Sequence, residues 1–386
     1  MSLYTYQDIQ EHLRSYVAGG ATTAMQDDIR RAVHTALRDV AIAHPWRYYR
    51  VRGAINLDAE YKTGTVAFDL TGGAYERLLT LTGGTWPTWA PYGHIRISDR
   101  SYTVEDRKSG TELTLPANDV PAADIASGTS YVLYRSHYPL PTDFRTLEGC
   151  WLGTNNWDLM EIPLRGIVQM ETEAADAGTP RYFAIAGSQD FYGSMAIHIF
   201  PHPDATESLQ LVYNRAQRPL RYSGYATGEY AGTVSGTIST VAITGSGTSF
   251  VSGMVGSVIR FGDTANYPTG LDGLFPYLEQ RVIQKFTSGT AIDVDANLSA
   301  SYSAVFYRVT DVLDLPDELY SALVRRAEAE LDRYRGHLDR AAINQSAYLE
   351  AVRQAMEFDD SRRRPRLAAD RGLWLADYWP VEKWTP

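Results

Sequence analysis

The chain carries one β-module twice. Ser109-Gly110-Thr111-Glu112-Leu113-Thr114-Leu115 returns in pattern as Ser288-Gly289-Thr290-Ala291-Ile292-Asp293-Val294. The correspondence runs on in the same order on both sides. Upstream, Gly64-Thr65-Val66 matches Gly232-Thr233-Val234, and the stretch from Leu79 to Trp86 matches that from Val241 to Thr248, with Phe250 just beyond. Downstream, Tyr134-Arg135 matches Tyr307-Arg308, and Leu140-Pro141 matches Leu315-Pro316. An internal repeat fixes architecture before local propensity does. Two copies are too few for a solenoid, so the expectation is a duplicated insertion on a common base.

A chain of 386 residues, 44% hydrophobic and 21% charged, is large enough for two or three packed cores. Its aromatic usage is skewed, with 26 Tyr and 8 Trp beside 11 Phe. Tyr and Trp combine large apolar area with a polar tip, which suits interfaces. The net charge of −10 argues against gripping DNA through its phosphates, though not against letting DNA slide past, since an acidic wall repels the backbone. Cys150 is the single cysteine, so an intramolecular disulfide or a cysteine-based metal site is excluded. Residues 1 to 20 are polar with helical periodicity, so no signal peptide is expected, and no run of ~18 apolar residues predicts a membrane span.

Helical periodicity marks both ends of the chain. Ile9, Leu13, Tyr16 and Val17 predict a helix over 5–18, ended by Gly19-Gly20. Ile29, Ala32, Val33, Ala36, Leu37 and Val40 predict a longer one from Thr22 or Thr23 to Pro45. Leu319, Leu323, Ala327, Leu331 and Tyr334 predict a third, ending near Gly336. Tyr348, Leu349, Val352 and Met356 predict a fourth over 339–358. Between them, period-two alternation and turn residues predict β-structure at 50–135 and 230–310, and a helix at 158–176 with three strands at 180–213 in a mixed middle. The fold class is α+β. The expected order is N-terminal base helices 1–46, β-module one 47–140, a mixed α/β segment 141–228, β-module two 229–312, C-terminal base helices 313–358, and an extended arm 359–386. The modules are small barrels or sandwiches inserted in a four-helix base.

Residues 359–386 differ in chemistry from the rest. Arg362, Arg363, Arg364 and Arg366 precede Trp374, Tyr378, Trp379 and Trp384, with prolines between. Trp and Arg are enriched at binding hot spots, so the segment is expected to dock: arginines on a negative rim, aromatics in pockets. Folding back onto its own helices is the alternative, and contact with nucleic acid through the arginine run is the weaker third.

Catalytic patterns are incomplete. There is no Gly-x-Ser-x-Gly elbow, and Gly245-Ser246-Gly247 lacks the third glycine and the lysine of a phosphate loop. Asp293-Val294-Asp295-Ala296-Asn297 opens like a calcium loop, but Leu298 and Ala304 stand where Gly and Glu are needed. His198 and His202 have no evident third ligand. Glu171 with Glu173 or Asp176 reads as a solvated helix face rather than a glycosidase pair. Cys150 reads as a small buried residue. The expectation is no enzyme activity, no cofactor and no metal.

The ordered set of local strings resembles the head-to-tail adaptor (connector, or tail tubular) proteins of tailed bacteriophages, short-tailed ones above all. An N-terminal helix ends in Ala43-His44-Pro45-Trp46-Arg47. Paired strands lead to Tyr138-Pro139-Leu140-Pro141-Thr142-Asp143-Phe144, then to Gly178-Thr179-Pro180-Arg181-Tyr182. Ile199-Phe200-Pro201-His202-Pro203-Asp204, Leu211-Val212-Tyr213-Asn214-Arg215 and paired C-terminal helices complete it. The insertion at 230–310 departs from small adaptors. The resemblance implies a non-enzymatic virion protein at the head–tail junction, assembled in the host cytoplasm. It implies a homo-oligomeric ring, commonly a dodecamer, beneath the portal protein. The C-terminal segment would dock on the portal, and a distal tail or nozzle protein would attach below. DNA would pass through the channel without sequence-specific binding. Two other readings stay open: a β-rich tail or fibre component binding host carbohydrate or receptor through Trp86, Trp89, Trp151 and Trp157, and a tail-associated hydrolase.

Overall fold

The computed structural model describes residues 4–17, 23–71, 75–154, 156–173, 177–188, 193–271 and 273–363. Helices in chain order are α1 (Tyr6–Val17), α2 (Thr23–Ile42), α3 (Leu164–Glu173), α4 (Thr227–Tyr230), α5 (Tyr320–Tyr334) and α6 (Leu338–Arg363). The described residues divide into two compact units, Tyr49–Ala216 and the remainder on either side of it. The class is α+β. Among the described residues no helix is long and apolar enough to cross a membrane.

Strands of the Tyr49–Ala216 unit are β1 (Arg50–Leu57), β2 (Thr65–Asp69), β3 (Leu78–Thr82), β4 (His94–Ile97), β5 (Arg100–Thr103), β6 (Asp106–Arg107), β7 (Glu112–Thr114), β8 (Ile125–Thr129), β9 (Tyr131–Tyr134), β10 (His137–Pro139), β11 (Phe144–Leu152), β12 (Met160–Glu161), β13 (Tyr182–Gly187), β14 (Met195–Phe200) and β15 (Glu207–Arg215). The other unit has β16 (Thr233–Gly236), β17 (Ala242–Ser246), β18 (Val258–Phe261), β19 (Glu279–Ser288), β20 (Ala291–Val294), β21 (Tyr302–Val305) and β22 (Tyr307–Thr310).

The repeated strings build the same strand order. In the first copy the sheets run β6-β7-β3-β2-β8 and β5-β4-β9. In the second, one sheet runs β21-β16-β17-β20-β19-β18-β22. The long strand β19 does the work of β5 and β6 together. Phe306 alone separates β21 from β22, which stand at opposite edges of that sheet, so the sheet must roll up to bring its edges together. Matching hydrogen bonds fix the equivalences: Leu81 N–H to the Thr111 carbonyl (2.8 Å) answers Gly245 N–H to that of Thr290 (2.8 Å), and Trp86 to Gly110 (2.7 Å) answers Phe250 to Gly289 (3.0 Å). In both Ser-Gly-Thr turns the serine Oγ accepts from the threonine N–H, at 3.2 and 3.3 Å.

These pairs shift the sequence alignment at one strand. Leu79 faces Leu113 as Ile243 faces Ile292, so Leu79 corresponds to Ile243 and not to Val241. The structural partner of Gly83 is Gly247, at φ +84° and +69°. The two-residue slip went unseen because strand side chains alternate with period two: a shift of two preserves which residues face inward. Trp86 and Phe250, 1% and 3% exposed, then stand at one position in the two cores.

Gly64 and Gly232 close the same turn, at φ +87° and +82°. A Cβ on Gly232 would lie 2.2 Å from the Ser246 carbonyl oxygen. Gly232→Ala is therefore expected to lose about 1–3 kcal/mol, measured by chemical denaturation. Gly289→Ala, whose Cβ meets nothing nearer than 3.9 Å, should shift stability far less.

Sequence order assigns β1 to the first module, but β1 pairs antiparallel with β15, which also pairs with β11. The boundary expected at 47 is corrected accordingly. A second sheet, β10-β14-β13-β12, packs its apolar face toward these strands, and Leu57, Cys150, Phe183, Ile197, Ile199 and Leu211 share the core. The helix expected over 158–176 is shorter, because Met160-Glu161 pair in parallel with β13 and Pro163 precedes the first turn.

Helix α5 contacts α1, α2 and α6 and is buried over most of its circumference, charges included. Arg326, Glu328 and Asp332 have partners on neighbouring helices, and Glu330 pairs within α5 with Arg326. Glu328 meets His12 at 2.9 Å, Arg326 donates to Asp39 at 2.7 and 2.9 Å, and Asp332 accepts from Tyr16 at 2.8 Å and Asn344 at 3.2 Å. A buried charge without a partner is costly, so these pairs fix the helix register more sharply than an apolar stripe could. Two expectations for α6 are corrected. It runs to Arg363, so residues 359–363 are helical and not part of an extended segment, since the interior of that run has no proline until Pro365. Leu349, assigned to its apolar face, is 58% exposed, whereas Tyr348 and Val352 of that face are buried and Ala355 joins them.

Candidate docking interface

The candidate arm residues fall mostly beyond the described region. Arg362 and Arg363 close α6, whereas Arg364, Arg366, Trp374, Tyr378, Trp379 and Trp384 lie outside the described residues. What the structure adds is the surface at the arm's root. Helix α2 ends at Ile42, Pro45 follows, and the chain turns through a 3₁₀ turn at Arg47–Tyr49. Trp46 is buried and donates its indole N–H to the Val40 carbonyl at 2.8 Å, while its ring packs edge-on to His44. Tyr48 hydrogen-bonds Asp314 at 3.1 Å. Tyr4 stacks on Tyr320, with centroids 3.9 Å apart. Together with Arg47, residues 312–319 and the Ala355, Phe358 and Asp359 side of α6, these groups line a cavity of about 540 Å³.

Beside it, His44 Nε2 lies 3.4 Å from Asp359 and 3.7 Å from Asp360. This is the one group of three among the described residues whose potential metal-ligand atoms all lie within 4.8 Å of one another. The contact ties the α2 exit to the end of α6.

Sequence reasoning missed a second surface. Between β18 and β19 the chain forms a long loop, where the first copy has only Ser98-Asp99 between β4 and β5. Leu271, Leu274, Phe275 and Leu278 are 60%, 83%, 42% and 62% exposed on it. The loop is nonetheless anchored. Gly270 N–H donates to Glu11 at 2.9 Å, Gln7 donates to the Pro268 carbonyl at 3.0 Å, Thr269 and Phe275 bridge at 2.7 Å, and Leu278 N–H donates to the Phe261 carbonyl at 2.8 Å. Contiguous exposed apolar side chains held at fixed positions mark a protein contact surface. The length difference between the two copies was the signal that could have revealed it. Leu274→Asp with Leu278→Asp is expected to leave the fold's thermal midpoint nearly unchanged, read by circular dichroism, because both side chains stand in solvent.

Other sequence candidates resolve into structural parts. Gly247 occupies a positive-φ turn, and Asp293 sits within β20, paired with Ala242. Cys150 is buried, and desolvation pushes its thiol up to about 12, leaving it protonated at neutral pH. His198 stacks on its cross-strand neighbour His137 at 5.7 Å, and His202 stacks on Tyr134 at 4.3 Å. Glu171, expected on a solvated face, is half-buried, and desolvation raises its carboxyl above the usual range, countered in part by Ser136. Glu173's side chain and Asp176 lie outside what is described. Of the four tryptophans considered for sugar stacking, Trp86 is in a module core and Trp89 packs against it. Trp151 is half-buried, and Trp157 is 53% exposed. The chain matches no family model and no curated protein sequence.

Proposed function

We propose that this chain is a non-catalytic structural protein of a tailed-phage virion. In this reading it forms a ring beneath the portal, joins head to tail and leaves a channel through which DNA passes. Helices α1, α2, α5 and α6 form the base, and the two β-modules are insertions on it. The arm from Arg362 onward docks on the portal, and copies of the chain contact one another head to tail around the ring. Assembly takes place in the host cytoplasm, and the mature location is the head–tail junction.

The observation that carries the reading is the anchored apolar loop at 270–278. Four large side chains stand in solvent on a loop whose backbone is tied to α1 and β18. Such a surface is built to be covered by protein, and a closed ring supplies a neighbour to every subunit. The acidic balance supports DNA passage, because unneutralised phosphates are repelled rather than held. Co-sedimentation of the purified chain with its phage's portal ring, followed by particle imaging, tests the proposal. The expected image is a ring stacked coaxially on the portal. Absence of association, with both proteins folded, would turn the reading toward a distal tail or receptor-binding role.

A further inference from the structure

We propose that the cavity at the root of the arm is a seat for the chain's own tryptophan-rich segment, residues 373–384. The inference goes beyond portal docking and stands without it, since it concerns the isolated chain.

Three observations favour this occupant. First, the walls are aromatic and incompletely covered: Tyr48 is 43% exposed and Phe358 is 41% exposed, with Trp46 and Leu315 behind them. At about 540 Å³ the cavity falls in the ~300–1,000 Å³ range that buries most of a ligand's surface. Indole and phenol rings fill such a space with large area and few rotatable bonds.

Second, the segment starts at the cavity. Phe358 and Asp359 line it, and α6 ends at Arg363, a few residues further on. At ~1.5 Å rise per residue Arg363, the last described residue, stands within roughly 10 Å of that wall. The residues from 364 to Leu373 span up to ~33 Å when extended, ample for a return. A short tether holds its end at an effective concentration in the millimolar range, so the chain's own segment outcompetes a second copy at ordinary protein concentration.

Third, the charges match. Asp317, Glu318 and Asp359 stand on the cavity's lining, and Arg364, Arg366 and Arg371 precede Trp374. Among the described residues Arg47 is the one basic side chain in the lining, and its backbone N–H faces the Asp359 carboxylate at 3.4 Å.

Disulfide trapping in the full-length chain tests the seat. Asp317→Cys on the rim is paired with Ala376→Cys in the segment, and the native Cys150, being buried, serves as the unreactive background. A comparison pair places Thr237→Cys, exposed on the β16–β17 turn, with the same Ala376→Cys. The rim pair is expected to crosslink within one chain, at monomer mass, about tenfold or more faster than the turn pair. Adding Trp374→Ala and Trp379→Ala is expected to erase that advantage. Equal rates for the two pairs overturn the proposal, and so does an advantage that survives loss of both tryptophans. A product at dimer mass overturns it in favour of a second copy as the occupant. Asp317 and Thr237 are exposed, and circular dichroism of each variant confirms that the comparison is made between folded chains.

Discussion

Arg260→Met is expected to lose about 3–5 kcal/mol of unfolding free energy, the largest stability effect of any single substitution considered for this chain. Arg260 is 1% exposed on β18. Its two terminal nitrogens grip Asp8 of α1 in a fork, at 2.8 and 2.7 Å, and one of them also meets the Gln7 carboxamide at 3.1 Å. Its guanidinium lies over the Tyr277 ring, 4.7 Å from the centroid. Methionine fills much of the same volume but leaves the Asp8 carboxylate, 17% exposed, without its counter-ion. The same carboxylate also accepts from the Thr5 N–H and hydroxyl, so the start of α1 should loosen with it. Guanidinium unfolding measures the loss. The double variant Arg260→Met with Asp8→Leu is expected to recover most of it, because replacing both partners of a buried pair by apolar groups is close to neutral. Failure of the double variant to recover, or a single-variant loss below about 1 kcal/mol, would show that the ion pair does not carry the contact between α1 and β18.

Deleting residues 364–386 is expected to leave a folded protein that no longer co-sediments with the portal. The cut belongs at 364, since α6 continues to Arg363 and Asp359 is paired with His44. A truncation at 359 would remove that pair and confuse lost docking with a damaged helix end. Within the full chain, Trp374→Ala or Trp379→Ala should each weaken docking by ~30-fold or more, the level of a hot-spot aromatic. Single changes of Arg362, Arg363, Arg364 or Arg366 should cost less, because charges near a rim are screened. Wild-type docking by the truncated chain would sink the arm reading. Equal affinity for the Trp variants and the wild type would remove the hot-spot assignment and leave the arginines as the docking groups. If the same aromatics rest in the cavity of the free chain, portal binding must first draw them out, and Trp374→Ala would then speed association while weakening the final complex.

The amino-acid order by itself determined the helices at both ends, the α+β class and the existence of two related β-modules. Those signals are local. Ile9, Leu13 and Val17 lie on one face of any α-helix, and Ala32, Val33, Ala36 and Val40 do so on another, so their burial follows from a 3.6-residue period. The Ser-Gly-Thr turns form the same hydrogen bond in both copies because a serine two residues before an N–H makes it wherever the turn occurs.

What only the tertiary structure decided is non-local. Period-two alternation could not separate a two-residue slip from the true register, and the matched hydrogen bonds of Leu81 and Gly245 were needed to resolve it. Strand β1 precedes the first module in sequence yet pairs with β15, some 150 residues later, because a strand takes whichever edge its own register and apolar face fit. Part of the surplus tyrosine, read as interface, packs inside the chain: Tyr6, Tyr138 and Tyr307 are among its most buried large side chains, and Tyr225 lies beneath Arg14 and Arg308. A run of exposed apolar side chains lies on the leucines and the phenylalanine of the 270–278 loop, which composition did not single out. Composition counts residue types, but which of them reach solvent depends on packing between segments far apart in the chain, and that is a property of the folded molecule alone.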